Sequence, residues 1–463
     1  MRRDGIGPAA TWVICLLALA AYGLKIEGGY WLSDEYYVGW VEHLSWFASL
    51  RGRMLHWSPR PVAELVTACY LWLAYAAGHA LIVPLLAISW AGTIGLVAGI
   101  GARAGEHRPW LLAVMLFVAL LMIGQPVEFF YWPMATIAYL TAWAGLAAAT
   151  LLLRNDTRAF VMLPALLVLA AFSTEMAAIV VLPCSAAMIA LAACRRAQRG
   201  GILAWLAPLA ASATVCLLVS HGRMAGMSEI MDRSSRMAGN WPRDLVAATA
   251  PFLRDLASVD GMALLPGLIV KLAILAMLPP AATVRQHAAG AHYRLAIWVA
   301  CLLLAAYASI VLALHQFGTV CCVRHATMRQ GMYLLAALGL VSLSPVAIPA
   351  RLRWPILAAG FATLLVVRAP ALRADLALLP AQMTARQATW KSGRLPGDTM
   401  TLIVPPAGPL SGGPSWAAQT VCIPAGRQAG YGLEGVAAFF GKRVVDVRPW
   451  SQRTSPGRAG CVP

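Results

Sequence analysis

Two acidic residues, Asp34 and Glu35, stand side by side in the polar segment Ser33–Tyr37, directly after the first apolar run of the chain. A helix-like stretch separates them from a basic segment that contains proline, Arg51–Pro61. A carboxylate can accept a proton from a hydroxyl group, and the planar guanidinium of arginine suits phosphate oxygens. Adjacent carboxylates and arginines at a membrane surface therefore favour chemistry on an anionic lipid. The alternative is that Asp34 and Glu35 only solvate the end of a helix.

A second basic group lies in Val323–Arg329, at the predicted outer end of an apolar span. Positions four apart share one helix face, so His325 and Arg329 are expected to lie together. Arg324 and Arg329, with Arg60, would supply three guanidinium groups to one donor phosphate. The alternative is that these arginines are interface anchors whose charges reach toward lipid headgroups.

Three further ionisable residues, Glu128, Glu175 and Lys271, lie within or beside apolar runs. A charge at membrane depth is costly and usually faces a cavity or a partner. The site interpretation makes Glu128 and Glu175 cavity acids and Lys271 a phosphate ligand. The alternatives are a solvated turn for Glu128, a structural partner for Glu175 and an ion pair for Lys271. Segment 221–261 has five arginines and five acids, which is typical of a solvated amphipathic segment, with an acceptor-binding lid as the alternative.

The composition of the chain indicates which class of protein carries these residues. Of 463 residues, 60% are hydrophobic and 12% are charged, which is about half the charged share of soluble domains. A soluble globular protein is therefore excluded. The net charge is +17, but the basic residues mostly separate apolar runs. They indicate membrane topology and contact with anionic membrane lipids, and they give no reason to expect a nucleic-acid partner.

The apolar runs predict an all-α polytopic protein of the inner (plasma) membrane with about eleven transmembrane helices. The candidate spans are 8–25, 80–102, 110–124, 135–153, 159–174, 177–194, 202–220, 262–284, 295–317, 331–349 and 354–368. With a cytoplasmic N-terminus, every short loop on the inside carries at least two arginines, as the positive-inside rule expects. Segments 26–60, 125–134, 174–176, 221–261 and 318–330 then lie outside. We expect segment 61–78 to lie at the interface rather than to cross.

The composition changes near the C-terminus, so we divide the chain into a multi-span membrane domain, 1–370, and an extracytoplasmic region, 371–463. The second part has Pro-Gly breaks and three short β-like runs, which predict a small mixed α/β region. The runs are Thr399–Val404, Thr420–Ile423 and Arg443–Val447. Cys422 and Cys461 would lie in an oxidising compartment, which permits a disulfide without requiring one.

Several features of residues 10–180 occur in the same order in one family of membrane enzymes. They are the Asp34-Glu35 pair, the Arg60-Pro61 step, the helix-like Val62–Gly78, the charged loop Arg103–Arg108, and Gln125–Trp132 with its acid. The chain therefore resembles the GT-C membrane glycosyltransferases. The likeness is closest to bacterial lipid A aminoarabinose transferases and protein O-mannosyltransferases, with the serotype-converting glucosyltransferases as looser relatives.

The resemblance implies a role for each matching residue. Asp34 would be the catalytic base, with Glu35 beside it. Arg60 would bind the donor phosphate, and Glu128 would be the second acid of the cavity. The aminoarabinose enzymes have Lys where Arg60 stands and Asp where Glu128 stands, so both departures keep the charge.

The implied function is transfer of a sugar from a polyprenyl-phosphate donor to an envelope glycan, lipid or protein on the extracytoplasmic face. Some relatives place a divalent ion beside the acidic pair. A metal held by Asp34, Glu35 and Glu128 and a base-only mechanism therefore both stay open. Two other functions compete with transfer: a flippase or transporter of lipid-linked saccharides, and an O-antigen ligase that would use His221 and the arginines of 221–261.

Overall fold

A computed structural model of the chain describes residues 6–56, 59–155, 162–194, 199–230, 240–257, 289–320, 323–344, 348–410, 416–423 and 432–454. Within these residues the protein is predominantly helical and carries one small sheet. The predicted Lys271 and Cys461 fall outside the described residues, and so does the span 262–284.

The described helices follow the apolar runs of the sequence. They are Ile6–Leu24, Ser33–His56, Pro61–Ala77, Ile82–Arg103, Pro109–Ile123, Pro126–Tyr131, Pro133–Arg154, Met162–Ala171, Glu175–Cys194, Arg199–Ile230, Trp241–Ala257, Ala289–Phe317, Val323–Leu343, Ala350–Arg394 and Leu433–Phe440. Proline begins several of them because its missing N–H costs nothing in the first helical turn. Ser33–His56 bends at Ser45, which has extended backbone angles.

Seven helical stretches of the described chain are long and apolar enough to cross a membrane. Two of these stretches, Pro61–Arg103 and Arg351–Arg394, exceed forty residues, about twice the length that a bilayer needs. The first of the two contains a turn between Pro61–Ala77 and Ile82–Arg103. Pro109–Ile123 and Met162–Ala171 are apolar but shorter. The molecule is thus an apolar helical bundle with the character of a membrane protein. The predicted total of eleven crossings stays a prediction.

The bundle has two chemically different ends. Pro109–Ile123 is about 22 Å long and runs between them. At its start, Arg108 lies beside Arg154 and Arg353, and we call this the arginine-rich end. After its last residue, Gln125 bonds to Thr327. We call this the site end, because Asp34, Arg60, Glu128, Glu175 and Arg324 lie there.

Pro61–Ala77 and Ile82–Arg103 are joined through a tight turn at Gly78. Gly78 has φ of 66°, which favours glycine. A Cβ atom at this position would lie 2.4 Å from the Trp390 ring. Glycine here therefore allows the helix pair to pack closely against the long helix Ala350–Arg394. That segment 61–78 lies at the membrane interface stays a prediction.

The C-terminal region forms a three-stranded sheet of β1 (Thr399–Val404), β2 (Gln419–Cys422) and β3 (Val444–Pro449), in the order β1-β3-β2. β1 and β3 are parallel, and β2 and β3 are antiparallel. The three predicted β-like runs are confirmed, within two residues at each end. Cys422 is disulfide-bonded. Helix Ala350–Arg394 continues through residue 370, so the division of the chain drawn from the sequence falls inside one helix.

A cluster of aromatic rings around Phe439, which we call the aromatic cage, joins the C-terminal region to the bundle. Phe439 makes ring contacts with Trp31, Tyr36, Tyr75 and Trp390, at centroid distances of 5.0–5.8 Å. Aromatic pairs at such distances add to the stability given by burial alone. The cage therefore fixes the sheet against the start of Ser33–His56, the helix that carries Asp34.

A buried ion pair gives a stability prediction. Lys25 bonds to Asp375, and their side chains are 2% and 0% exposed. Asp375 also accepts a hydrogen bond from the Leu410 backbone N–H at 3.1 Å. Lys25→Met would leave a buried carboxylate without its cation, so we expect the free energy of unfolding to fall by about 3–5 kcal/mol. Thermal unfolding in detergent measures the change.

Lys391→Met is the matched control, because this lysine is exposed on the same long helix as Asp375. We expect it to leave the unfolding midpoint unchanged. Equal midpoints for the Lys25 and Lys391 variants would contradict a structural role for the buried pair.

Candidate functional site

The helix Ser33–His56 begins in a way that separates the two predicted acids. The Leu32 backbone N–H donates to Glu35 Oε2 at 2.9 Å, which draws Glu35 back over the helix start. Glu35 is fully buried, whereas Asp34 is partly exposed. Asp34 therefore remains accessible to a reacting hydroxyl group, and Glu35 does not.

Burial makes Glu35 harder to ionise than an ordinary surface acid. Loss of solvent, followed by the charge of Asp34, raises the pKa of Glu35 well above its usual value. The buried position therefore disfavours the charged form of this carboxyl group. Asp34 is thus the better candidate for a proton acceptor.

The buried position of Glu35 leads to a prediction. Glutamine has nearly the shape of glutamic acid, and its side-chain oxygen can still accept from the Leu32 backbone N–H, so Glu35→Gln should retain near-parental turnover and fold stability. Turnover of the purified variant tests this expectation. A loss as large as that of Asp34→Asn would show that Glu35 acts as a charged group, and chelator sensitivity would then identify a metal.

Arg60 lies at the start of the next helix, where Pro61 occupies the first helical position. Its Nη2 lies 3.3 Å from Glu64 Oε1, and its Nε lies 4.0 Å from Glu175 Oε2. Burial disfavours the charge of Arg60, but Glu175 and Glu64 outweigh it and raise the pKa of Arg60. The Val62 backbone N–H donates to Phe172 O at 3.0 Å, which holds this helix start beside Glu175.

Arg324 belongs to the same end although it is about 260 residues away in sequence. Its Nη1 donates to Glu128 Oε2 at 2.9 Å, and its guanidinium lies 5.1 Å from the Trp132 ring. The Arg324 side chain is 27% exposed, so part of the guanidinium edge faces outward. Burial lowers the pKa of Arg324, but Tyr139 and Glu128 outweigh it and raise the value.

Tyr139 connects the two arginines. Its hydroxyl bonds to His325 Nε2 at 2.8 Å and contributes to the charge environment of both Arg60 and Arg324. It lies in the π-helical turn Thr136–Leu140, a widened helical turn of the kind often found at functional sites. Arg60, Arg324 and Tyr139 therefore form the centre of one polar cluster.

Tyr30 joins this cluster to the acidic helix start. Burial raises the pKa of Tyr30, and Glu128 and Glu35 raise it further, so the tyrosine lies near both acids. The Tyr30 backbone N–H also donates to Tyr131 O at 3.3 Å. Glu35, which follows Asp34 in the chain, and Glu128 thus lie around one region of the site end.

Three charged residues of the site end were not predicted as site residues: Glu42, Arg53 and Glu64. Arg53 bonds to Glu42, and its Nε lies 3.3 Å from Glu64 Oε2. Burial raises the pKa of Glu42 to about 7, although nearby Arg53 lowers it. The spacing of Arg60 and Glu64, four residues apart on one helix, was the available signal for Glu64.

Arg329 is placed away from this cluster. Its Nε donates to Asp255 Oδ2 at 2.8 Å, and the adjacent Gln330 donates to the Asp255 backbone carbonyl. Positions five apart on a helix differ by about 140° in direction, so Arg329 and Arg324 face different neighbours. The expected meeting of three arginines is thus a meeting of Arg60 and Arg324. The side chain of His221 lies outside the described residues.

The acids of the site end do not form a metal-ligand set. Glu128 is paired with Arg324, and Glu35 accepts from a backbone N–H. Across the described chain, no group of three or more His, Cys, Asp or Glu side chains is arranged to hold a metal ion.

Comparison of the chain with protein-family models, with curated proteins and with solved structures finds no match. The geometry of the site end and the resemblance of residues 10–180 to the GT-C enzymes are therefore the two indications of function.

Proposed function

We propose that the protein is a GT-C-type glycosyltransferase that takes a sugar from a polyprenyl-phosphate donor and adds it to a cell-envelope acceptor. The observation that carries the proposal is that Arg60 and Arg324, from distant parts of the chain, lie in one polar cluster on the same end as the partly exposed Asp34. Carboxylates pair with both arginines, and the Arg324 side chain is still 27% exposed, so a phosphate oxygen can approach its guanidinium.

The chemistry follows from the properties of the donor. A phosphate bound to a sugar leaves as a stabilised anion, so no general acid has to protonate it. The Asp34 carboxylate takes the proton of the acceptor hydroxyl, and the acceptor oxygen forms a bond to the anomeric carbon. The bond from that carbon to the phosphate oxygen breaks, and its electron pair leaves with the phosphate. Arg60 and Arg324 stabilise the resulting negative charge.

The side of the membrane follows from the charge of the two ends. Arg108, Arg154 and Arg353, from three loops predicted to be cytoplasmic, lie together at the arginine-rich end. The positive-inside rule places that end in the cytoplasm. The site end then faces the extracytoplasmic space, where lipid-linked sugar donors are used and envelope acceptors are found.

A comparison of envelope glycans and polyprenyl-linked sugars between a deletion strain and its parent tests the function. We expect one glycan substituent to disappear and its lipid-linked donor to accumulate. Complementation with the Asp34→Asn variant should fail to restore the substituent. Restoration by that variant would favour a flippase, which needs no base, and unchanged glycans in the deletion strain would contradict both functions.

A further inference from the structure

A cavity of about 260 Å³ opens at the arginine-rich end, far from the candidate site. Its polar wall consists of Arg108, Arg154, Arg353, His107 and Glu106, and its other walls are apolar. The cavity lies where three apolar helices begin or end: Pro109–Ile123, Pro133–Arg154 and Ala350–Arg394.

The charges of this wall are unbalanced. Among the described residues Glu106 is the one acid of the wall, and it is already paired, because Arg154 Nη1 lies 3.4 Å from its Oε1 and Asn155 donates to the same oxygen at 2.8 Å. Arg108 and Arg353 therefore add two positive charges that no other acid of the described lining matches. Arg108 lies over the Trp354 ring at 5.3 Å.

The Arg353 side chain has buried donors that need an acceptor. Its Nε and Nη2 atoms are buried, yet they have no hydrogen-bond partner among the described residues. Leaving buried donors of a charged group unsatisfied is costly, so such atoms normally face an acceptor. Helix Pro109–Ile123 begins beside Arg108 of the same wall, and no side chain caps its first backbone N–H groups. An anion with several oxygens would offer acceptors to donors of both kinds.

Three neighbours of the cavity indicate where that anion comes from. Trp110, Leu352 and Ile356 are large apolar side chains that are 58%, 50% and 38% exposed. Apolar surface beside arginines at a helix end is typical of the headgroup level of a membrane. We propose that this cavity binds the phosphate group of an anionic phospholipid, separately from the candidate glycosyltransferase site.

Native mass spectrometry of the full chain in detergent tests the proposal, with phosphatidylglycerol as the titrated probe and inorganic phosphate in a parallel titration. Arg353→Gln should weaken phosphatidylglycerol retention about tenfold or more, the value of one charged hydrogen bond. Arg108→Gln, on an exposed residue, should weaken it in the same direction. Arg351→Gln is the control, because this arginine is exposed on the same helix and does not line the cavity.

Equal retention by the Arg353 and Arg351 variants, with unchanged unfolding midpoints, would overturn the site. Binding of inorganic phosphate that depends on Arg353, without binding of phosphatidylglycerol, would overturn the lipid source and retain a phosphate site for a soluble ligand. Neither result depends on sugar transfer, so the test is independent of the proposed function.

Discussion

We expect Asp34→Asn to abolish the proposed sugar transfer while the protein still inserts and folds. The substitution keeps the shape of a partly exposed side chain and removes its ability to accept a proton. A positioned general base contributes about 10²–10⁴-fold to a rate, so turnover should fall by that factor or more. Transfer from a polyprenyl-phosphate sugar to an acceptor by the purified protein measures it.

Glu27→Gln is the matched control for Asp34→Asn. Glu27 is an exposed acid a few residues earlier in the chain, and it has no place in the polar cluster. We expect parental turnover from this variant. An Asp34→Asn protein that turns over as fast as Glu27→Gln would remove Asp34 from the mechanism.

Arg324→Lys should weaken use of the donor, and Arg324→Ala should weaken it further. Lysine keeps the positive charge but loses the planar set of donors that can bond to Glu128 and a phosphate together. One charge-assisted hydrogen bond is worth about 1.5–3 kcal/mol, which corresponds to roughly ten- to hundredfold in donor affinity. Donor titrations at a fixed acceptor concentration measure the change. We expect Arg60→Lys to act in the same direction.

Arg329→Lys separates phosphate binding from a general need for arginine in this helix. Arg329 lies on the same helix and bonds to Asp255, away from Arg60. Its replacement should leave the donor titration unchanged, even where the unfolding midpoint falls. Donor titrations of Arg324→Lys that overlay those of the parent would contradict the phosphate site.

Much of the local structure could be predicted from the sequence, because local patterns determine it. The run Thr399–Val404 is a strand with the predicted bounds, since β-branched and apolar residues between turn signals leave few other conformations. The pairing of Arg324 with Glu128 also agrees with the predicted grouping of charges at one end. Burying an ionisable residue beside an apolar span costs free energy, so such residues tend to pair with one another, and this tendency can be predicted from the sequence.

Other features depend on long-range packing and could not be predicted. The direction of Arg329 depends on Trp241–Ala257, a helix whose position the sequence does not give. Tyr139 looked like an ordinary residue of an apolar span, because a widened turn has no sequence signal. The length of the last long helix, which continues from Ala350 to Arg394 through three prolines, also has no local signal in the sequence.

The aromatic cage around Phe439 has a consequence for how the protein is made. Phe439 contacts Tyr36 across about 400 residues of chain, and contacts of such long range form late in folding because they require a large loop to close. During synthesis, the helix that carries Asp34 emerges early but lacks its aromatic support until the C-terminal sheet has been translated. The start of helix Ser33–His56 is therefore expected to reach its final packing only when translation is nearly complete.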